Sequence, residues 1–339
     1  MIKILSPVDK IEEVRKVIEA GADELYCGLL TPDWHNKYIA GSINRRPGGR
    51  ANFTTIDELK SCVEIARSFD IPVYLALNEH YYIEKQYPFI LDFVQKAIEI
   101  GVNALIVSDL ALLLTLQQLK VDTKIVISTG GHTFNSEAVR FYQNLGASRI
   151  ILPRHLTIEE IRDIRVSVKD VELEVFIFNS RCPNIDGFCT FQHGLADESL
   201  ELLHKNACML PYDISVVPDV DAHMDQISLE RQQIWQMIHV DDYPCGACAI
   251  FEFNEMDITG LKIVGRGNLA VRKVADVTFI RSLLDFLTAE NPTKDEFRRV
   301  ARKLYGDIYR RPCRVHMCYY PEVLLEGWKE QSSSPASKI

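Results

Sequence analysis

The chain has 339 residues, 47% of them hydrophobic and 25% charged, with a formal net charge of −9. That length can bury one barrel-sized core or two smaller ones, and the acidic balance gives no general footprint for nonspecific nucleic-acid binding. No apolar run reaches the roughly 18 residues that a membrane span needs, and the opening M-I-K-I-L-S-P is not a signal peptide, so a cytoplasmic protein is expected.

Short strand-like runs then alternate with helical patterns. Ile2 to Leu5 reads as a first strand, and Ile11, Val14, Val17 and Ile18 mark one face of the helix after it. Glu24 to Gly28 is a second strand. A long loop follows, from Leu30 to about Thr54, carrying Trp34, His35, Asn44, Arg45, Arg46 and Asn52. Structureless loops longer than about 12–15 residues are uncommon unless they bind or cover something, so a lid-like role is expected. Thr55 caps a helix with apolar positions Leu59, Val63 and Ile65.

Val73 to Leu77 is the third strand, ending at Asn78, with a helix over about Glu84 to Ile100. Ala104 to Val107 ends at Ser108 and Asp109 and leads into a leucine-rich helix. Lys124 to Ile127 ends in S-T-G-G-H, ahead of a helix from about Ser136 to Leu145. Arg149 to Leu152 ends in P-R-H, and Thr157 with Glu160 forms a capping box for the next helix. Leu173 to Phe178 is the seventh strand and Leu261 to Val264 the eighth, followed by a helix from about Val271 to Leu287. Eight strand–helix units in order predict an α/β fold, a (β/α)₈ TIM-like barrel over residues 1–290.

The rhythm breaks at 179–258, between strands seven and eight. This insertion carries Cys182, Cys189, Cys208, Cys245 and Cys248, with a hairpin expected around Asp213 to Val217. Residues 291–339 read as a helical extension, with a helix near Lys294 to Tyr305, Cys313 and Cys318 beyond it, and a disordered end S-S-S-P-A-S-K-I.

In such a barrel the site lies at the C-terminal ends of the strands. The polar residues there are Asn78, Asp109, Ser128, Thr129, His132, Arg154, His155, Asn179, Arg181, Lys262 and Arg266. Lys262 reaches the interior only if strand alternation turns it inward. For any single one of these, a loop cap or solvated side chain is the commoner role. Arg154, Lys262 and Arg266 carry groups that match carboxylates in charge. No G-x-S-x-G, H-E-x-x-H or Walker-type loop is present.

The cysteines carry more weight. Nine of them in a chain without an export signal point to metal or redox use before a disulfide framework. The spacing runs C-x6-C-x18-C, then on to Cys245 or Cys248, which make a C-x-x-C. Thiolates select iron–sulfur iron or zinc over hard cations. Cys27 and Cys62 sit in an apolar strand and an apolar helix face and read as small core residues. Cys313 and Cys318 add either to a metal site or to nothing.

Together these pieces resemble the family historically called peptidase U32, over about residues 3 to 275. The matching segments are L-S-P, G-A-D-E-L-Y-C-G, R-A-N-F-T, V-Y-L-A-L-N, S-T-G-G, N-L-G-A-S-R-I-I-L-P-R, E-V-F-I-F-N-S-R-C-P-N-I-D-G-F-C, and C-A-I ahead of G-L-K-I-V-G-R. The resemblance implies a [4Fe–4S] cluster on Cys182, Cys189, Cys208 and Cys248. It also implies oxygen-independent hydroxylation of an RNA base or a quinone precursor, with prephenate as hydroxyl donor in some members; on that analogy Arg154, Lys262 and Arg266 would hold the donor's carboxylates, and Asn78 and His132 would orient the acceptor. Two departures lie near the expected pocket: Asn179 and Ser180 stand where the family has His-Gly, and S-T-G replaces S-T-Q. The chain also lacks the C-terminal β-domain of longer RNA-acting members, which favours a small or partner-presented substrate. The rival expectations are a non-catalytic electron-transfer or structural subunit, paired with a like or unlike barrel, and the peptidase of the older family name. Zinc is the rival to the cluster.

Overall fold

A computed structural model supplies the coordinates, and residues 2–38, 42–46, 49–179, 182, 184–189, 226–233, 244–314 and 317–323 are described. Eight parallel strands pair in chain order and close on themselves. They are β1 Lys3–Pro7, β2 Glu24–Cys27, β3 Val73–Leu77, β4 Ala104–Val107, β5 Lys124–Ile127, β6 Arg149–Ile151, β7 Glu172–Phe178 and β8 Gly260–Ile263. The ring is sealed where Lys3, Ile4 and Leu5 pair with Gly260, Leu261 and Lys262. The expected (β/α)₈ barrel is therefore the fold. Its strands are short apolar runs buried on both faces, as parallel strands covered by helices require.

The helices begin where the sequence places their caps. Thr55 with Glu58, Thr157 with Glu160 and Thr293 with Glu296 each form a reciprocal capping box. Asp109 and Asn135 accept the backbone N–H groups of Leu112 and Ala138. The loop after β2 contains a short helix, Pro32–Lys37, that the sequence did not announce, and it carries the fully buried Trp34.

The barrel interior holds charge as well as hydrocarbon. Arg149 of β6 reaches across the ring to Glu24 of β2 at 2.5 Å and to Glu174 of β7 at 3.1 Å. Glu174 also takes Lys262 of β8 at 3.2 Å, and the Tyr74 hydroxyl donates to Glu24 at 3.0 Å. These groups satisfy one another, which buried charges require. Cys27 and Cys62 are fully buried.

The C-terminal helix runs to Tyr309 and buries Phe297, Ala301 and Tyr305. Tyr305 packs on Phe279 and Tyr309 stacks on Phe178, with ring centroids 6.1 and 5.2 Å apart. The extension thus lies against the barrel beside β7. Among the described residues no helix is long and apolar enough to cross a membrane. The expected hairpin at Asp213 to Val217 and the S-S-S-P-A-S-K-I end lie outside the described residues.

Candidate functional site

At the C-terminal ends of the strands is a cavity of about 100 Å³. Five cationic side chains line it: Arg45, Arg46, Arg154, Lys262 and Arg266. Tyr26 and Phe176 add aromatic faces, and Asn78, Ser128 and Thr129 add polar groups.

The cations differ in how far neighbours already neutralise them. Arg154 holds Asp186 at two points, Nη2 to Oδ1 at 2.6 Å and Nε to Oδ2 at 3.0 Å, and lies 4.6 Å from the Phe176 ring. Burial opposes its charge, but the Asp186 carboxylate outweighs that and raises the Arg154 pKa. Lys262 sits 3.9 Å from the Tyr26 ring and 3.2 Å from Glu174. Burial lowers its pKa, and Glu174 works against that shift. Arg266 has uncharged partners: it donates to the Asn44 carbonyl at 2.8 Å and to Asn52 Oδ1 at 3.3 Å. Burial pulls its pKa down to about 10. A buried guanidinium whose hydrogen-bond partners are uncharged is the group on this wall most improved by a bound anion.

The long loop after β2 builds one side of the cavity. Asn44 donates to Asn52 Oδ1 at 2.8 Å, Asn52 donates to the Arg46 carbonyl at 2.8 Å, and the Tyr82 hydroxyl donates to the Ile43 carbonyl at 2.7 Å. This lattice sets Arg45 and Arg46 at the cavity wall, and Arg45 takes a left-handed φ of 59° to do so. Gly28 lets Arg266 approach, since a Cβ there would meet its Nη1 at 2.1 Å.

The remaining candidates separate by role. Asn78 lines the cavity and donates to Ser128 Oγ at 3.1 Å, while its Oδ1 is buried with no partner among the described residues. His132 stands outside the lining and packs on Phe188 of the cysteine loop, ring centroids 4.4 Å apart. Asp109 caps a helix and accepts from the Tyr87 hydroxyl at 2.7 Å. His155 Nδ1 accepts from the Asp186 backbone N–H at 3.4 Å. Asn179, at φ 66°, donates to Asp276 at 2.6 Å and to the Val264 carbonyl at 3.0 Å. Arg181 lies outside the described residues.

Cys182 and Cys189 are partly exposed on the loop that Asp186 ties to Arg154. Burial raises the Cys182 pKa, with the guanidinium groups of Arg154 and Arg45 working against it. Cys248 is buried, and Cys245, Cys313 and Cys318 are the thiols that interact with it electrostatically. Cys208 lies outside the described residues. Among the described residues no three His, Cys, Asp or Glu side chains are already gathered to hold one ion.

Sequence reasoning passed over Arg45 and Arg46, which it noted only as loop residues, and over Glu174, Asp186, Tyr26 and Phe176. Phe176 and Glu174 alternate on β7, so their shared inward face was available from period-2 patterning. The Asp186–Arg154 pairing left no local signal.

Fold and site together define a parallel (β/α)₈ barrel with a cationic pocket at its mouth and a thiol-bearing loop beside it. The sequence profile of peptidase family U32 matches residues 9–324, and the chain belongs to that family. It is 33% identical over 195 residues to the uncharacterized protease MJ0090 of Methanocaldococcus jannaschii, covering 56% of this chain and 43% of that one. To tRNA hydroxylation protein P of Escherichia coli it is 28% identical over 187 residues, covering 55% and 38%. To the 23S rRNA 5-hydroxycytidine C2501 synthase of Escherichia coli it is 26% identical over 223 residues, covering 63% and 30%. The matches thus span less than half the length of each of these relatives.

Proposed function

We propose that the chain is the barrel of an oxygen-independent hydroxylase that acts on an RNA base and takes its hydroxyl group from a small dicarboxylate of the prephenate kind. The observation that carries this reading is the charge of the cavity, where Arg45, Arg46 and Arg266 converge and Arg266 has uncharged partners. Guanidinium groups match carboxylates in both charge and geometry. Tyr26 and Phe176 offer flat faces to an unsaturated ring, and Asn78 Oδ1, without a partner among the described residues, can accept from a hydroxyl or amine of the bound molecule. The RNA acceptor is supported by the relatives named for tRNA and rRNA hydroxylation.

An iron–sulfur cluster fits the chemistry of the loop, since the cations Arg154 and Arg45 stand near Cys182 and would offset a cluster's negative charge. Cys182, Cys189, Cys208 and Cys248 would hold it, and when bound it supplies electron transfer beside the pocket. Arg154 and Lys262 then act through Asp186 and Glu174, setting the loop and the floor of the pocket, while Arg266 meets the donor.

The test is anaerobic incubation of the iron-loaded full chain with prephenate and RNA lacking the modification, read by nucleoside mass spectrometry. A gain of one oxygen that depends on prephenate is expected. No gain on tRNA or rRNA, or hydrolysis of collagen-like peptides by cluster-free protein, would overturn the reading.

A further inference from the structure

The mouth of the barrel holds a buried charged triad beside the cavity. Lys273 lies between two carboxylates, its Nζ 2.5 Å from Asp9 Oδ2 and 2.6 Å from Glu13 Oε1, and all three residues are buried. Asp9 follows β1, Glu13 stands in the first turn of the helix Ile11–Glu19, and Lys273 is near the start of the helix Ala270–Glu290. Glu13 Oε1 also accepts the backbone N–H groups of Asp9 and Lys10, at 2.6 and 3.1 Å. Asp9 Oδ2 reaches one element further and accepts the Gly267 backbone N–H at 2.6 Å.

Gly267 belongs to the turn that aims Arg266. The Asn268 N–H donates to the Gly265 carbonyl at 2.9 Å, closing a four-residue turn with Arg266 and Gly267 at its centre. Gly267 takes a φ of 90°, which a side chain would disfavour. The loop after β2 holds the far end of the Arg266 side chain, through the Asn44 carbonyl and Asn52 Oδ1. Asp9 holds its near end, one residue along the backbone. The Asp9 charge also acts on Arg266 in the direction that keeps the guanidinium protonated.

This differs from the support given to the neighbouring cations. Arg154 and Lys262 meet carboxylates directly, Asp186 at 2.6 Å and Glu174 at 3.2 Å. The carboxylate that serves Arg266 bonds to the backbone of the next residue and is itself paired with Lys273. A guanidinium supported from behind keeps its charge unneutralised for a ligand, whereas a direct ion pair spends it.

We infer that Asp9 is a positioning residue for Arg266: it locks the Gly265–Asn268 turn so that the guanidinium already faces the cavity when an anionic donor arrives. Lys273 and Glu13 hold Asp9 in place, because a buried carboxylate needs a partner. Binding is then spared the cost of ordering the Arg266 backbone. The inference deepens the proposed function and rests on it for donor affinity, but the locked turn can be read without any donor.

The experiment compares two substitutions of Asp9 in the full, iron-loaded chain kept without oxygen. Asp9→Asn removes the charge and keeps an oxygen for the Gly267 N–H. Asp9→Glu keeps the charge and displaces that oxygen by one methylene. In titration calorimetry, prephenate affinity should fall about 10-fold in Asp9→Glu and stay within about threefold of wild type in Asp9→Asn. In an Arg266→Ala background the Asp9→Glu loss should vanish, because the two residues act as one unit. Equal affinities in the folded variants, the reverse order, or an undiminished further loss in Arg266→Ala would overturn the assignment, since a role in barrel closure alone changes stability without this pattern.

A donor-free measurement separates the inference from the hydroxylase reading. Phenylglyoxal labelling, mapped by peptide mass spectrometry, should modify Arg266 several-fold faster in Asp9→Glu than in wild type, with Arg154 unchanged. Wild-type protein that binds no prephenate, together with that acceleration, would remove the donor reading and support the positioning role. Labelling of Arg266 at the wild-type rate would overturn the positioning role whatever the donor does. Should Asp9→Glu fail to fold, Asp9→Ser, which withdraws the carboxylate from the Gly267 N–H, takes its place with the same expectations.

Discussion

Arg154 and Asp186 meet in a two-point ion pair, and the Arg154 backbone N–H also donates to Asp186 Oδ2 at 2.8 Å. Three bonds to one fully buried carboxylate tie the end of β6 to the loop that carries Cys182 and Cys189. Burial opposes the Asp186 charge, and Arg154 more than compensates, holding the carboxyl below its usual range. Its stabilising contribution is therefore present at neutral pH and lost as pH falls through the lowered pKa.

Removing either partner breaks a buried ion pair: Asp186→Ala takes the carboxylate from a mostly buried guanidinium, and Arg154→Ala takes the guanidinium from a fully buried carboxylate. Each should cost about 3–5 kcal/mol in chemical denaturation. The double variant should cost less than the sum, with a coupling of about 0.5–3 kcal/mol. Strict additivity would mean that the pair does not anchor the loop.

Donor binding should depend most on the cation with uncharged partners. Arg266→Ala is expected to weaken prephenate binding by about 10- to 100-fold, the worth of about 1.5–3 kcal/mol for a charged hydrogen bond. Titration calorimetry on anaerobic protein measures it, and the affinity should fall with added salt. A larger loss in Lys262→Ala than in Arg266→Ala would transfer the carboxylate contact to Lys262.

Gly28 tests the same wall by steric means. A methyl group there meets Arg266 Nη1 at 2.1 Å, Asn52 Oδ1 at 2.2 Å and Asn44 Nδ2 at 2.7 Å. Gly28→Ala should keep the fold, cost about 1–3 kcal/mol from overpacking, and weaken prephenate binding nearly as much as Arg266→Ala. Unchanged affinity in a folded variant would detach Arg266 from the donor.

Asp276 gives a pH signature opposite to that of Asp186. Burial lifts its pKa from 3.8 to about 6, although Asn179 and the Tyr309 hydroxyl donate to it at 2.6 and 2.8 Å. The folded chain thus binds a proton more readily than the unfolded one. This contribution is complete below the unfolded pKa and disappears as pH rises through about 6. Between about pH 7 and pH 4 the group should favour the native state by on the order of 3 kcal/mol. Asp276→Asn should remove that slope from the pH dependence of unfolding free energy, and an unchanged slope would refute the assignment.

The barrel was legible because parallel strands buried on both faces are unbroken apolar runs, and each of the eight ends in a polar or turn residue. Strand order then carried Asn78, Arg154, Lys262 and Arg266 to the mouth without further information. Arg45 and Arg46 were not legible, because their direction depends on the Asn44–Asn52 hydrogen bond inside a long loop. The pairing of Arg154 with Asp186, 32 residues apart, follows from how the cysteine loop folds back and has no counterpart in local spacing. Nor does the sequence announce that Cys245 and Cys318 become neighbours, which follows from the docking of the extension.

The seam between β1 and β8 has a bearing on synthesis. Ile4 has no strand beside it on that edge until Leu261 has left the ribosome, so for most of translation the nascent chain presents an open parallel edge ready to pair with the wrong neighbour. Charge at the strand's outset, Lys3 beside the acidic Glu24, gives that edge some protection before closure. Productive expression should therefore respond to chaperone supply and slow growth more than to changes in the pocket.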